Sequence, residues 1–206
     1  MLDSKYLEGM RELYLDSEKQ FIEFSETVPY IDNSWYVHSP RLYSLLLAVC
    51  GQIESLMVKM CKNFDFELER GDFPECYRTL NQKGVLGIQK VKLIKTDRVL
   101  KPFFDNHPYH FWWLAHNEAK HNLPLGIQQG TIGNVIITLA ALFSLHNFAI
   151  HIPHDNPQQI LDVKCWMENQ PITVAASIAE PERYYNPSKS KLFLPITTYY
   201  FSGRGL

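Results

Sequence analysis

Four side chains near the middle of the chain combine the chemistry of an anion-binding site. They are Trp113, Asn117, Lys120 and His121. The last three follow the tryptophan by four, seven and eight residues, so a helix would place all four on one face, with His116 partly off it. An amide, an ammonium and an imidazole beside an indole can hold an anion, donate protons near neutral pH and stack on a flat ring. The spacing therefore predicts a phosphate or nucleic-acid site.

A purely structural explanation of the same residues is also open. Trp112 and Trp113 are large apolar side chains that commonly fill a core or an interface. Pro124 and Gly126 are expected to end the helix by Leu123, which puts the polar group in its last turns. There an Asn, a Lys and a His often only cap the helix or contact water, and the helix dipole favours a lysine.

Three longer helices are predicted to position this one. Apolar residues at helical spacing indicate an amphipathic helix within residues 4–27 and a second helix from Pro40, capped by Ser39, to about Phe64. Residues 131–152 are apolar nearly all round, which is typical of a central helix enclosed by others. Polar residues interrupt that segment at Ser144, His146, Asn147 and His151. We therefore interpret it as a buried helix and not as a membrane span.

The segments between the helices are less regular. Residues 28–39 read as a loop, from which Trp35 and Tyr36 are expected to fold back onto the helices. A short helix is predicted from Phe73 to Asn81. Residues 88–95 suit a short strand or a continued helix. This last stretch is the most basic part of the chain, and its lysines form either a solvated face or a phosphate contact: Lys90, Lys92 and Lys95.

Composition restricts the class of protein. The chain has 206 residues, 46% of them hydrophobic and 13% aromatic, which indicates a folded domain. Its formal net charge of -2 disfavours a general DNA coater, so any nucleic-acid contact would depend on a local patch. Four cysteines without a CxxC spacing and an N-terminus without a secretory signal predict a cytoplasmic protein with reduced thiols.

The motif resembles that of a known superfamily. The run Trp112-Trp113-x-x-His116-Asn117-x-x-Lys120-His121, with Asn134 and the Leu139-Ala140-Ala141-Leu142-Phe143 stretch after it, is similar to the WWxxYNxxKH pattern of bacterial and archaeal HEPN-like proteins. The similarity covers about residues 40–152. It implies a mainly α fold, an antiparallel four- or five-helix bundle within residues 1–155. Residues 156–206 contain five prolines and two short apolar runs, ITVAASI and KLFLPITTYYF, which independently predict a C-terminal extension of short strands and loops packed on the bundle.

The resemblance also implies an activity. Many HEPN domains dimerise and act as metal-independent ribonucleases in toxin or defence systems, through an Arg, a polar residue and a His. Asn117 matches the polar residue and His121 the catalytic histidine, whereas His116 stands in the place of the arginine. The implied chemistry is attack of an RNA 2'-hydroxyl on its own phosphate, with His121 moving the proton. Lys120 together with His116 would neutralise the developing charge, and Asn117 would orient the imidazole or the phosphate.

Three further residues are assigned to substrate binding. Trp113 is placed to stack on a base. Glu54 and Lys59 resemble the acid and lysine that the family often has on an earlier helix, although their spacing differs by one. Glu54 also has a simpler explanation as a solvated residue at the edge of its helix.

Two other functions remain open. One is a dimeric binding or scaffold protein that has kept the bundle and lost the chemistry. The other is a metal site built from two histidine pairs and nearby acids: His107 and His110 with Asp105, and His151 and His154 with Asp155. We expect a second copy of the chain and RNA as partners, with no cofactor, metal or membrane. An antitoxin or another protein partner is not identified by the sequence.

Overall fold

The computed structural model describes residues 3–63, 68–82, 86–87, 89–96, 98–103, 111–151 and 190–195. In these residues the chain is mainly helical, as predicted. The helices are α1 (Ser4–Ser25), α2 (Pro40–Asn63), α3 (Phe73–Gln82), α4 (Phe111–His121), α5 (Leu123–Gln129) and α6 (Ile132–His151). The strands are β1 (Val91–Leu93), β2 (Val99–Leu100) and β3 (Phe193–Pro195), which form one antiparallel sheet in the order β2-β1-β3. Most of the predicted extension, residues 156–189 and 196–206, lies outside the described residues.

Helix α2 is the scaffold on which the other helices pack. The Ser39 hydroxyl accepts a hydrogen bond from the Leu42 amide at 3.1 Å, which confirms the predicted cap. Its buried residues recur every three or four positions: Leu42, Leu45, Leu46, Val49, Cys50, Ile53, Leu56, Met57, Met60 and Cys61. This stripe is wide enough to contact α1, α3, α4 and α6 at once.

Helix α6 lies at the centre of the core, as its apolar sequence predicted. Its first amides bond to the preceding loop and not to water: Ile132 donates to the Val37 carbonyl and Gly133 to the Trp35 carbonyl, both at 2.9 Å. The Thr131 hydroxyl accepts from the Asn134 amide at 3.1 Å. These backbone N–H groups at the start of α6 therefore have hydrogen-bond acceptors within the protein, as a buried helix end requires.

The contact between α6 and the loop of residues 28–39 fixes one of the two neighbouring aromatic rings, Trp35 and Tyr36. Trp35 lies against Gly133, where an added Cβ would collide with the indole. Tyr36, however, is 82% exposed. The prediction that both rings fold back onto the helices is therefore wrong for Tyr36, because the carbonyl contact to α6 orients only its neighbour.

Helix α5 was not predicted. Pro124 and Gly126 indicated a break after α4, but the proline lies in the first turn of a new helix, where its missing N–H has no partner to lose. Gly126 faces the backbone of α4, and a Cβ there would approach the Ala119 Cα to 2.6 Å. The glycine thus allows α4 and α5 to pack closely and does not end the helix.

The last described segment is tied to the first helix by a buried carboxylate. Glu18 is 3% exposed and accepts hydrogen bonds from the Ser190 hydroxyl at 2.6 Å and the Leu192 amide at 2.9 Å. The Tyr14 hydroxyl also donates to it, at 3.2 Å. Because a buried carboxylate needs such donors, this contact specifies where β3 joins the sheet.

Two helices are long and apolar enough to cross a membrane, α2 and the Ile132–Ala149 part of α6. In α6, 89% of the apolar window is buried inside the protein, and in α2 the share is 50%. Burial of this extent fits the core helix of a soluble protein, which passes the same test of length and composition.

We predict that Gly126→Ala destabilises the protein even though alanine is the better helix former. The new methyl would overlap the Ala119 backbone, and overpacking typically costs about 1–3 kcal/mol, more than the gain in helix propensity of about 1 kcal/mol. The matched control is Gly51→Ala in α2, where no atom lies within 4 Å and a small stabilisation is expected. Urea unfolding of both variants measures the difference, and a stabilised Gly126→Ala would contradict the close packing.

We predict that Ser190→Ala lowers the free energy of unfolding by about 1–3 kcal/mol, since it removes a donor from a buried carboxylate. Ser44→Ala is the control, because its hydroxyl is exposed and, among the described residues, bonds to the Pro40 carbonyl of the same helix. If both substitutions lower the free energy of unfolding equally, the Ser190–Glu18 contact stabilises the protein no more than an exposed hydroxyl does.

Candidate functional site

Helix α4 has one face in the core and one in solvent. Its buried residues are Trp112, Trp113, Ala115, His116 and Ala119. An α-helix turns by about 100° per residue, so Trp113, Asn117 and Lys120 lie along the border between the buried and the exposed face of α4. The predicted stripe is therefore a boundary, along which exposure increases from the tryptophan to the lysine.

The tryptophan pair belongs to the core. Trp112 donates its indole N–H to the Pro102 carbonyl at 2.9 Å. Trp113 is 6% exposed, with Phe73 stacked on it at 3.6 Å between ring centroids and His116 at 4.7 Å. Because these rings cover Trp113, the structure favours the structural explanation of this residue over base stacking.

His116 is uncharged near neutral pH. Its side chain is 5% exposed, and its Nδ1 has no hydrogen-bond partner among the described residues. Burial, with smaller electrostatic effects from Lys120 and His121, lowers the pKa of His116 from 6.5 to about 4. A neutral imidazole does not replace the permanent charge of an arginine, so the role of His116 in neutralising a phosphate stays a prediction.

The other three motif residues are accessible. Lys120 and His121 are exposed in the last turn of α4, and Asn117 is half-buried one turn earlier. The Tyr43 hydroxyl of α2 donates to the Ala119 carbonyl at 3.0 Å and so holds this turn in place. Since Lys120 and His121 both act on the pKa of His116, the end of α4 is one electrostatic cluster.

The two predicted residues on α2 have other neighbours. The Lys59 ammonium lies 5.6 Å from the ring centroid of Tyr6 on α1. Glu54 is half-buried on the same helix as Cys50, where burial, with a smaller effect from the charge of Glu54, raises the pKa of the Cys50 thiol. In the described part of the chain, no hydrogen bond or ion pair joins Glu54 or Lys59 to α4. Among the described residues, Glu54 and Lys59 therefore make no direct bond to the motif.

The metal hypothesis falls mostly on residues that the structure does not describe: Asp105, His107, His110, His154 and Asp155. His151 ends α6, but its side chain is outside the described set as well. Among the described residues no group of three or more His, Cys, Asp or Glu side chains is placed to hold a metal ion. The histidine pairs remain an untested alternative.

Two surface features were missed by sequence reasoning. Helices α4 and α5 expose three large apolar side chains, Phe111 at 49%, Leu114 at 44% and Leu125 at 50%. A cleft also lies between the 28–39 loop and the β1–β2 hairpin. The sequence pattern indicates the basic stretch 88–95 and the aromatic Trp35 separately, but only the tertiary fold brings the two segments together.

Comparison with known proteins adds no neighbour. No protein-family model, no curated protein and no solved structure matches this chain.

We predict that His116 makes stability depend on pH. Its folded pKa of about 4 lies below the ordinary value of 6.5, so the unfolded chain binds the extra proton between these values, and stability falls as pH decreases from 6.5 towards 4. The contribution is up to about 3 kcal/mol. Urea unfolding at a series of pH values should show a shallower pH dependence for His116→Gln than for wild type.

His38→Gln is the control for this measurement, because His38 is exposed. Its pH profile should stay parallel to that of wild type. A wild-type slope retained by His116→Gln would show that another group causes the acid sensitivity.

Proposed function

We propose that this chain is a HEPN-like RNA-binding protein that cleaves single-stranded RNA without a metal. The end of α4 is its RNA-contact site. The observation that supports this best is the exposed pair Lys120 and His121 in the last turn, with Asn117 half-buried beside them. An ammonium, an imidazole and an amide at one solvent-facing helix end are suited to a phosphodiester.

The proposed reaction is an internal transfer at phosphorus. His121 takes the proton from an RNA 2'-hydroxyl, the 2'-oxygen bonds to the adjacent phosphorus, and the bond to the 5'-oxygen breaks. The departing 5'-oxygen takes a proton from water, His121 returns its proton to the solvent, and the other product ends in a 2',3'-cyclic phosphate. Lys120 stabilises the added negative charge, and Asn117 orients the phosphate. His116 has a supporting role, packed on Trp113.

The proposal includes a particular architecture. Helices α1, α2, α4 and α6 would form the antiparallel bundle of four or five helices that the resemblance implies, and the contacts α1–α2, α2–α6, α1–α6 and α4–α6 agree with it. Two copies would associate so that their α4 helices face each other, and the exposed Phe111, Leu114 and Leu125 offer apolar area for this. A cytoplasmic toxin or defence system is the setting we expect.

A second candidate is a dimeric scaffold of the same fold without activity. The low pKa of His116 favours it, because the position of the family's permanently charged arginine is then held by a neutral ring. In this case the end of α4 would bind a partner and leave RNA intact.

We predict that wild type cleaves single-stranded RNA and that His121→Ala lowers the rate by about a hundredfold or more, the usual contribution of a general base. Lys120→Gln should slow cleavage less, because it removes charge but no proton acceptor. The products are analysed for a 2',3'-cyclic phosphate, with EDTA present to exclude contaminating metal nucleases.

His38→Ala is the matched control, an exposed histidine outside α4. Cleavage that survives His121→Ala rejects the proposed site. A stable dimer that neither cleaves nor binds RNA, and that becomes monomeric in Leu114→Lys by light scattering, would instead support the scaffold.

A further inference from the structure

Two buried cysteines meet where α3 packs on α2. Cys61 lies in the last turn of α2 and Cys76 lies early in α3, and both are 0% exposed. The Cys61 thiol donates a hydrogen bond to the Cys76 carbonyl oxygen, 3.7 Å from its sulfur. It also forms a hydrogen bond with the Cys76 thiol itself. The two sulfurs are therefore neighbours across a contact between helices.

A third buried cysteine provides a comparison. Cys50 lies about three turns before Cys61 in α2, and its thiol forms a hydrogen bond with the Thr138 side chain of α6. A buried cysteine with such a neighbour behaves as a small apolar residue with a weak donor. Cys61 and Cys76 differ from it because each has a second thiol beside it, and a disulfide requires this arrangement.

The surroundings determine how the pair can react. Burial is the main cause that raises the pKa of both thiols, and contact with the Cys76 thiol raises the pKa of Cys61 further. At Cys76 the hydrogen bond with Cys61 and the charge of Lys62 lower the pKa, which partly offsets burial and the charges of Glu75 and Asp72. Cys76 is therefore the more readily ionised thiol of the two. Because only a thiolate attacks a disulfide, the reaction is slow and needs α3 to open from α2.

A covalent bond at this place would restrain more than the two cysteines. Cys61 and Cys76 are 15 residues apart in the sequence, and a crosslink that closes a loop of this length reduces the freedom of the unfolded chain. Phe73 precedes Cys76 by three residues in α3 and stacks on Trp113 of α4 at 3.6 Å between ring centroids. The crosslink would therefore also hold the ring that covers Trp113.

We propose that Cys61 and Cys76 form a reversible disulfide between α2 and α3 by exchange with a low-molecular-weight disulfide such as oxidised glutathione. The Cys76 thiolate attacks one sulfur of the glutathione disulfide, which gives a mixed disulfide and releases one glutathione thiolate. The Cys61 thiolate then attacks the Cys76 sulfur, and the second glutathione leaves. Two electrons pass from the protein to glutathione, and the two thiol protons end on the two glutathione molecules. This modification site goes beyond the reaction proposed for α4.

The test incubates the 206-residue chain to equilibrium in glutathione buffers from fully reduced to fully oxidised, blocks the remaining thiols and identifies linked peptides by mass spectrometry. Equilibrium is measured because burial slows the exchange without preventing it. Trypsin cleaves after Lys62 and Arg70, so the two cysteines fall in separate peptides, 60–62 and 71–78. We expect these peptides to be joined by a disulfide. The thermal midpoint of the oxidised protein should lie about 5 °C or more above that of the reduced protein.

Cys61→Ala should abolish both the linked peptides and the rise in thermal midpoint. Cys50→Ala, the control for loss of a buried thiol, should keep both. Circular dichroism checks folding, and Cys76→Ala is the second variant if Cys61→Ala does not fold.

The outcomes are distinct. Linked peptides 60–62 and 71–78 that separate on addition of dithiothreitol support the proposal. It is overturned if both thiols stay free in the most oxidising buffer, if they form only mixed disulfides with glutathione, or if either pairs instead with Cys50 or Cys165. Such a result leaves the α4 proposal intact, because that proposal is tested by RNA cleavage and His121.

Discussion

The rest of the structure depends on one constraint, the burial of the apolar helix α6. A helix that is apolar nearly all round is stable only when other elements enclose it, and α1, α2 and α4 do so. Its first amides are then out of reach of solvent and need carbonyls from the chain itself. The loop before α2 supplies them from Trp35 and Val37, so one requirement of hydrogen bonding also sets the position of an aromatic ring on the surface.

The same enclosure determines what α4 can offer to a ligand. Trp112 and Trp113 are part of the hydrophobic core, where Trp113 stacks on Phe73, and His116 is buried beside them. In the final turn Lys120 and His121 face solvent, and the Tyr43 hydroxyl of α2 bonds to the Ala119 carbonyl of α4. The helix therefore places accessible polar groups at one end, beside a neutral imidazole.

Sequence periodicity predicted the long helices well, because a stripe every three or four residues can be read without knowing the fold. It also predicted that Trp113, Asn117 and Lys120 share a side of α4. It did not predict how far each would lie from solvent, since that depends on which neighbours cover the helix. Pro124 and Gly126 correctly predicted that α4 ends by Leu123. They did not predict that α5 begins there, because both residues are helix breakers in isolation, yet a first turn tolerates a proline and a close helix contact requires the glycine. The pairing of Trp35 with Arg98 joins distant segments and left no local signal.

The bond between Glu18 and Ser190 spans 172 residues of sequence. During synthesis on a ribosome, α1 emerges long before Ser190, so the Glu18 carboxylate must remain hydrated or be neutralised until residues 190–192 have also emerged. Closing so long a loop is slow relative to forming helices. The surroundings of Glu18 therefore become native only after residue 190 is available, which places this contact late in the folding of the described chain.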